Sequence, residues 1–332
     1  LSNYKVNKVH TKPLYEHIIN KNEYLKRFYE TSLNFSNDIS IKEKAMTSKK
    51  LDNNEQVKYK NIIRNMHFKE ILKNTHSGFE NNPTYLNILE DLYNNNIIDY
   101  KLLTPSALYY IKENRIGSVF SSFYFRASIL NPYLVYSLNH SILKGKKIFT
   151  PTLGWSSYCY GFLECPYVEE YVGTDVINSV CKKTKTFATK HYPEKKVEIF
   201  NSPSENLSKN ASFIKKYTNH FDVVFFSPPY FKLELYSGKN QSTNMYKSYE
   251  EWLVKYWEAT IQLCFKVLQS NGRLCYILSG YGKNLEYDLV TDMNTVTSKY
   301  FTLKKIIPMQ NKNVHVTNHR TTGEQIIIFE KK

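Results

Sequence analysis

The tetrapeptide Ser227-Pro228-Pro229-Tyr230 contains the residue types needed to hold and orient an amino group. Two consecutive prolines fix the backbone and remove two N–H donors, so the carbonyl of Pro228 becomes a rigid acceptor. The hydroxyl of Ser227 offers a second acceptor, and the ring of Tyr230 offers a flat face on which an extruded base can stack. Together these groups are suited to aim a nitrogen lone pair at a methyl donor.

The place of the tetrapeptide in the chain favours a binding site. It follows directly on the apolar run 221–226, which predicts a buried strand. The tetrapeptide therefore lies at the carboxyl edge of a sheet, where open α/β sheets bind their ligands. A tight turn or a proline-rich ligand is the alternative, but a free proline-rich ligand should not follow a buried strand.

The same tetrapeptide resembles the catalytic motif of DNA amino-methyltransferases, which modify N6 of adenine or N4 of cytosine. Its serine is closer to the cytosine-N4 branch, because the adenine branch usually begins with Asp or Asn. The resemblance covers roughly residues 115 to 332 and implies S-adenosyl-L-methionine as cofactor. It implies direct in-line methyl transfer, with neither a covalent enzyme intermediate nor a metal.

The segment after the first predicted strand resembles the cofactor loop of that family, D-P-x-x-G-x-G. The resemblance implies that Gly154 lets the backbone approach the methionine moiety, and that cofactor contacts come from Thr150, Pro151, Gly154 and Trp155. The loop departs from the motif at Thr150, where the family has an acid, and at Ser156, where it has a second glycine. A plain strand-to-helix turn is the alternative.

Polar residues after the next two predicted strands extend this candidate cofactor site. Asp175 ends the second strand, where a carboxylate commonly holds a ribose hydroxyl pair, and a helix N-cap is the alternative. Ser204 and Glu205 follow the third strand, where the family contacts adenine, and a capping pair is the alternative. Phe123 stands where a circularly ordered family member would keep a cofactor-packing residue, and a core position is the alternative.

The spacing of apolar residues predicts the fold around these residues. Residues 1–110 predict a mainly helical N-terminal region, a candidate for nucleic-acid recognition. Residues 111–332 predict an α/β domain, Rossmann-like, with a seven-stranded mixed sheet that ends in an antiparallel pair. The family resemblance implies that this is the S-adenosylmethionine-dependent methyltransferase domain. The predicted strands cover 147–150, 170–174, 196–200, 222–226, 273–278, 302–308 and 325–330, and a helix covers 249–269 and ends at Asn271-Gly272.

The charge balance favours a polyanionic partner. Lysine and arginine number 45 against 30 acids, which gives a net charge of +15. Nucleic acid is the first candidate, although an AT-biased genome also explains such a composition. We expect contacts to nucleic acid from Phe231, His319 and Arg320.

Two alternatives to a DNA methyltransferase stay open. The first is an RNA base amino-methyltransferase, since the same tetrapeptide suits amino groups in RNA. The second is a catalytically silent nucleic-acid-binding or scaffold protein with the same fold, suggested by Thr150 and Ser156 in the cofactor loop. An oligomer or a companion subunit is compatible with either hypothesis.

The cysteines and the hydropathy of the chain argue against several other classes of protein. The five cysteines include no C-x-x-C pair, which argues against a disulfide framework or a zinc site and favours reduced packing residues in a cytoplasmic protein. No cysteine follows the two prolines, which argues against cytosine-C5 chemistry with its thiolate nucleophile. No apolar run approaches the roughly 18 residues of a membrane helix, so we expect no membrane association.

Overall fold

The computed structural model describes residues 38–76, 83–95, 127–232, 236–280, 287–310 and 321–332, with the isolated positions 12, 15, 16, 19, 20, 22, 23 and 109. The chain divides into two compact units. One comprises residues 1–37, 64–127 and 234–237, and the other comprises 38–63, 128–233 and 238–332. The second unit therefore includes residues 38–63, which the sequence analysis grouped with the N-terminal region.

Seven strands of the described residues form one mixed sheet in the order β3-β2-β1-β4-β5-β7-β6. The strands are β1 (Lys147–Thr150), β2 (Glu170–Asp175), β3 (Lys196–Asn201), β4 (Phe221–Phe226), β5 (Leu268–Ser279), β6 (Phe301–Gln310) and β7 (Thr321–Lys331). β1 to β5 pair in parallel, and β7 pairs antiparallel with both β5 and β6. The predicted Rossmann-like methyltransferase fold, with its seven-stranded mixed sheet, is confirmed.

The centre of the sheet is buried because helices cover parallel strands on both faces. In β4, Phe221 and residues 223–226 are at most 1% exposed. The one polar residue of this strand, Asp222, accepts hydrogen bonds from the backbone N–H groups of Lys146 and Lys147 at 2.7 and 2.9 Å. These bonds align β1 with β4 and so place the segments that follow the two strands side by side.

α-Helices make up most of the remaining secondary structure in the described ranges. They are α1 (Val57–Met66), α2 (Phe68–Asn74), α3 (Tyr85–Asn94), α4 (Pro132–Leu138), α5 (Ser157–Leu163), α6 (Asn178–His191), α7 (Ser204–Leu207), α8 (Ala211–Tyr217), α9 (Ser242–Met245), α10 (Tyr249–Trp252), α11 (Ala259–Val267) and α12 (Leu289–Ser298). A π-helical segment, Leu253–Glu258, joins α10 to α11. None of the helices in the described ranges is long and apolar enough to cross a membrane.

Residues 44–56 are fastened to α4 within the second unit by hydrogen bonds. Asn131 caps α4 by accepting from the N–H of Tyr133 at 3.0 Å, and its side-chain amide donates to the carbonyl of Glu55 at 2.6 Å. The N–H of Met46 donates to the hydroxyl of Ser137 at 3.0 Å. This segment therefore packs with the sheet-bearing unit.

The long helix predicted over 249–269 forms, but its predicted end at Asn271-Gly272 is wrong. The helical run stops at Val267, and Leu268 already pairs with Phe221 as the first residue of β5. Asn271 has φ +63° and makes a local irregularity at the start of this strand. Pairing with the neighbouring strand takes Leu268 out of the helix, a tertiary effect that helical periodicity does not report.

Candidate active site

Ser227 is held by hydrogen bonds to two neighbouring elements, α5 and β5. Its N–H donates to the hydroxyl of Tyr158 at 3.1 Å, and its own hydroxyl donates to the carbonyl of Ile277 at 3.3 Å. A serine hydroxyl has one proton and two lone pairs. Because that proton is used on Ile277, the Ser227 oxygen is left as an acceptor, which is the role that the sequence predicts for it.

Tyr230 is fixed to the end of β5. Its hydroxyl accepts a hydrogen bond from the N–H of Ser279 at 2.7 Å, so the hydroxyl end of the side chain is anchored to the sheet. The residue is 8% exposed. A base can therefore use this ring only at its exposed part, or after the chain around the ring shifts.

Phe231 packs inside an aromatic cluster. Its ring lies 5.7 Å from that of Tyr249, 5.9 Å from Trp252 and 5.8 Å from Tyr287. The residue is only 2% exposed. The cluster holds the residue that directly follows the Ser227–Tyr230 turn, and the predicted contact between Phe231 and nucleic acid would require the cluster to open.

The predicted cofactor loop has an unusual backbone. Gly154, Trp155 and Ser156 have φ values of +52°, +57° and +73°, three successive left-handed residues between β1 and α5. Only glycine adopts this region without cost, so Trp155 and Ser156 store strain. Strained residues that persist in a fold cluster at binding and catalytic sites, which favours a functional role for this loop.

Gly154 has a second reason to be glycine. A Cβ at this position would lie 2.2 Å from the ring of Tyr158. The loop therefore folds tightly over the tyrosine whose hydroxyl holds Ser227. Tyr158 links the predicted cofactor loop to the predicted catalytic turn.

The two residues that depart from the family motif, Thr150 and Ser156, both make hydrogen bonds inside the protein. The hydroxyl of Thr150 lies 2.6 Å from that of Tyr171, and the hydroxyl of Ser156 lies 2.6 Å from that of Thr184. All four residues are buried. Thr150 thus anchors the base of the loop, and Pro151 and Trp155 beside it are buried as well.

Asp175 bridges the ends of β1 and β2. Its carboxylate accepts from the N–H groups of Leu153 at 3.2 Å and Ile177 at 3.0 Å. Burial raises the pKa of Asp175, and these N–H donors lower it in part. The carboxylate therefore shapes the cofactor loop, and its two oxygens keep lone pairs for a ligand.

Ser204 and Glu205 are also brought to this edge of the sheet. The Ser204 hydroxyl lies 2.9 Å from that of Thr260, and Glu205 accepts from the hydroxyl of Tyr246 at 3.2 Å. Glu205 is 5% exposed, and burial raises its pKa. Burial, followed by the charge of Glu205, raises the pKa of Tyr246 to about 12.

The residues at this edge fit S-adenosylmethionine in charge and in hydrogen-bonding capacity. Two carboxyl groups with raised pKa values, the half-buried Asp175 and the buried Glu205, would be stabilised as carboxylates by a positively charged ligand. The hydroxyls of Thr152 and Ser157 in and after the cofactor loop are buried and have no hydrogen-bond partner among the described residues. Such groups are normally satisfied, so a polar ligand at this loop would complete them.

Sequence reasoning missed Tyr158 and Tyr246. Tyr158 is the second residue of α5, and its only signal is its position four residues after Gly154. Tyr246 comes from a polar loop without periodicity and reaches Glu205 across 41 positions of sequence. Neither contact can be read from local spacing.

Three predicted site residues fall outside the described ranges. They are Phe123, His319 and Arg320. The roles assigned to them stay predictions.

The cysteines are all buried and unpaired. Burial raises the pKa of Cys165 to about 11 and that of Cys181 to about 12, so these thiols are protonated near neutral pH. Their burial fits the predicted role as packing residues, and their reduced state stays a prediction. A thiolate nucleophile is not available from these two residues.

A separate cleft of about 730 Å³ lies at the opposite edge of the sheet, where β1, β2 and β3 begin. Its lining includes Lys147, Glu170, Lys196 and His220. Nε2 of His220 lies 2.8 Å from the carboxylate of Glu170, so these two polar groups of the cleft are hydrogen-bonded to each other. The predicted site residues are not among its lining.

Comparison with known proteins finds solved structures that are similar to this chain. No protein-family model matches the chain, and no curated protein sequence matches it. TrmN from Thermus thermophilus aligns with TM-score 0.40 and 12% identity over 61% of this chain and 49% of TrmN, so the chain spans about half of that protein. The N-methyltransferase NodS from Bradyrhizobium japonicum aligns with TM-score 0.37 and 11% identity, covering 60% of this chain and 91% of NodS.

Another similar structure is the (4+2)-cyclase SpnF, with TM-score 0.41 and 10% identity over 61% of this chain and 84% of SpnF. Its described reaction differs from that of the N-methyltransferase NodS. Likeness of this degree does not establish an activity, because one fold supports many reactions. The function must be argued from the residues of the site.

Proposed function

We propose that the chain is an S-adenosylmethionine-dependent methyltransferase that acts on an exocyclic amino group of a base in nucleic acid, with DNA as the first substrate to test. The observation that carries this proposal is the fixed turn at Ser227. Tyr158 accepts from its N–H, Ile277 accepts its hydroxyl proton, and Ser279 anchors the hydroxyl of Tyr230. A preorganised acceptor at Ser227, at the same edge of the sheet as the carboxyl groups of Asp175 and Glu205, suits methyl transfer to nitrogen.

The roles of the chain's own residues follow from this geometry. S-adenosylmethionine, when bound, would supply an electrophilic methyl group. The Ser227 oxygen and the Pro228 carbonyl would accept hydrogen bonds from the amino group and direct the nitrogen lone pair. Asp175 and Glu205 would hold the cofactor, and the proton released from nitrogen would leave to solvent.

Mass spectrometry of nucleosides tests the reaction directly. We expect N4-methylcytosine or N6-methyladenine after duplex DNA is incubated with the protein and S-adenosylmethionine. Folded RNA, assayed in parallel, identifies an RNA methyltransferase if only RNA is modified. If neither nucleic acid gains a methylated base although the cofactor binds, the proposed substrate class is wrong.

Three variants test the assignment of roles. Tyr230→Ala should cut turnover sharply while cofactor binding stays nearly intact, and Tyr230→Phe should retain more turnover because the ring remains. Asp175→Ala should weaken cofactor binding instead. Parent-like turnover and affinity in both alanine variants would show that the site is assigned wrongly.

A catalytically silent scaffold is the second candidate, and one observation favours it. The hydroxyls of Thr150 and Ser156, which replace the family's acid and second glycine, are both engaged by internal hydrogen bonds. Titration calorimetry with S-adenosylmethionine separates the candidates, because a scaffold shows no saturable binding.

A further inference from the structure

Tyr256 lies in the π-helical segment Leu253–Glu258 between α10 and α11. π-helical turns are rare and occur frequently at functional sites, because the inserted residue changes which side chains face a neighbour. Tyr256 is 3% exposed, and its ring lies 5.2 Å from that of Trp252. The residue is therefore held firmly inside the protein.

The hydroxyl of Tyr256 is unsatisfied. It is buried, and no described residue is its hydrogen-bond partner. A buried tyrosine hydroxyl normally finds a partner, because its desolvation is otherwise uncompensated. An orphan hydroxyl of this kind indicates a missing ligand group.

The surroundings of Tyr256 are those of the candidate cofactor site. Helix α7, which contains Ser204 and Glu205, packs against the π-helical segment. Thr260, four residues after Tyr256 and so on the same helix face, lies with its hydroxyl 2.9 Å from that of Ser204. Burial and the charges of Glu205 and Asp175 raise the pKa of Tyr256, so the hydroxyl is a neutral donor.

We propose that the Tyr256 hydroxyl contacts the adenosine half of S-adenosylmethionine, an inference that rests on the proposed function. The adenosine half is favoured because α7 and Asp175 follow β3 and β2, the strand ends assigned to adenine and ribose. A neutral hydroxyl can donate to a ring nitrogen or exchange hydrogen bonds with a ribose hydroxyl. Tyr256 is thus a cofactor-positioning residue.

Calorimetry of Tyr256→Phe with S-adenosylmethionine and with 5′-methylthioadenosine, which lacks the amino-acid part, tests this contact. We expect both dissociation constants to rise about five- to tenfold, the loss of one hydrogen bond. The melting temperature without ligand should be unchanged or higher, because an uncompensated polar group has been removed. Equal affinity of parent and variant for both ligands would overturn the proposal, and so would a loss confined to S-adenosylmethionine.

Tyr217→Phe is the matched control. Tyr217 is 1% exposed and stacks 5.1 Å from Phe221, at the opposite end of β4 from Ser227. Its dissociation constants should equal those of the parent. If the parent itself binds neither ligand, the proposed function fails as well, whereas failure of Tyr256 alone leaves parent binding intact.

Discussion

The Ser227 hydroxyl is available to accept a hydrogen bond because its single proton is already donated to another group. Many serine side chains switch between donor and acceptor, but here the carbonyl of Ile277 takes the proton. The bond ties the chemistry of the turn to β5. Residues outside the tetrapeptide therefore decide what the tetrapeptide can do.

Tyr158→Phe tests this dependence on the turn's supports. The variant leaves the N–H of Ser227 without its partner, so we expect a loss of stability of about 1–2 kcal/mol. A looser turn should lower kcat about tenfold with little change in cofactor affinity. Chemical denaturation, steady-state kinetics and calorimetry measure the three quantities.

Tyr192→Phe is the control for that variant. Its hydroxyl donates to Glu164 at 2.6 Å beside the cleft at the amino edge of the sheet. We expect Tyr192→Phe to lose a similar amount of stability without the fall in kcat. Equal falls in kcat in both variants would show that general destabilisation, and not the support of Ser227, is responsible.

Glu205→Gln should make stability less dependent on pH. Burial raises the pKa of Glu205 in the folded state, so the folded protein binds this proton more tightly than the unfolded chain. That contribution is fully present below the ordinary pKa of 4.5 and is lost as pH rises through the raised value. The variant should therefore be more stable than the parent at neutral pH, with the difference shrinking below about pH 4.5.

Thermal denaturation between pH 3.5 and 8 measures this difference. Glutamine keeps an oxygen to accept from Tyr246, so the hydrogen bond is not the variable. A variant that is less stable than the parent at neutral pH would contradict the assigned cost of burying the charge. The pH range of the measurement follows from the direction in which the pKa of Glu205 is shifted.

At the scale of elements, the cofactor loop depends on its left-handed backbone. Gly154→Ala places a methyl group at φ +52° and 2.2 Å from the Tyr158 ring. We expect a destabilisation of about 1–3 kcal/mol and a marked loss of cofactor affinity, because Tyr158 must move. Denaturant titration and calorimetry provide the measurements.

Gly323→Ala is the matched control in β7. A Cβ there meets only the carbonyl of Gly280 at 3.7 Å, an ordinary contact. Stability and affinity should stay close to those of the parent. If Gly154→Ala behaves in the same way, the loop is not constrained as described.

The elements were largely predictable because apolar runs report burial. β4 is nearly continuous in large apolar residues, and its prediction over 222–226 misses only Phe221. The start of β5 and the π-helical segment were not predictable, because strand pairing at Leu268 and packing around Tyr256 decide them. Likewise, Ser227 and Tyr230 could be found from their motif, but their partners Tyr158 and Ser279 come from elements distant in sequence.

At the scale of the whole molecule, the net charge of +15 makes a prediction about ionic strength. If lysines and arginines neutralise about three phosphates, affinity for duplex DNA should fall about fortyfold between 50 and 200 mM salt. Fluorescence anisotropy with a labelled duplex measures the slope. An affinity independent of salt would show that the charge reflects composition and not a phosphate-binding surface.

If S-adenosylmethionine binds as proposed, the carboxyl groups of Asp175 and Glu205 couple its binding to the uptake of protons by the surrounding buffer. A cation that settles near them favours their ionised forms, so part of the protein population must give up a proton on binding. The measured heat should then vary with the ionisation enthalpy of the buffer at mildly acidic pH. A neutral nucleoside should show far less of this variation.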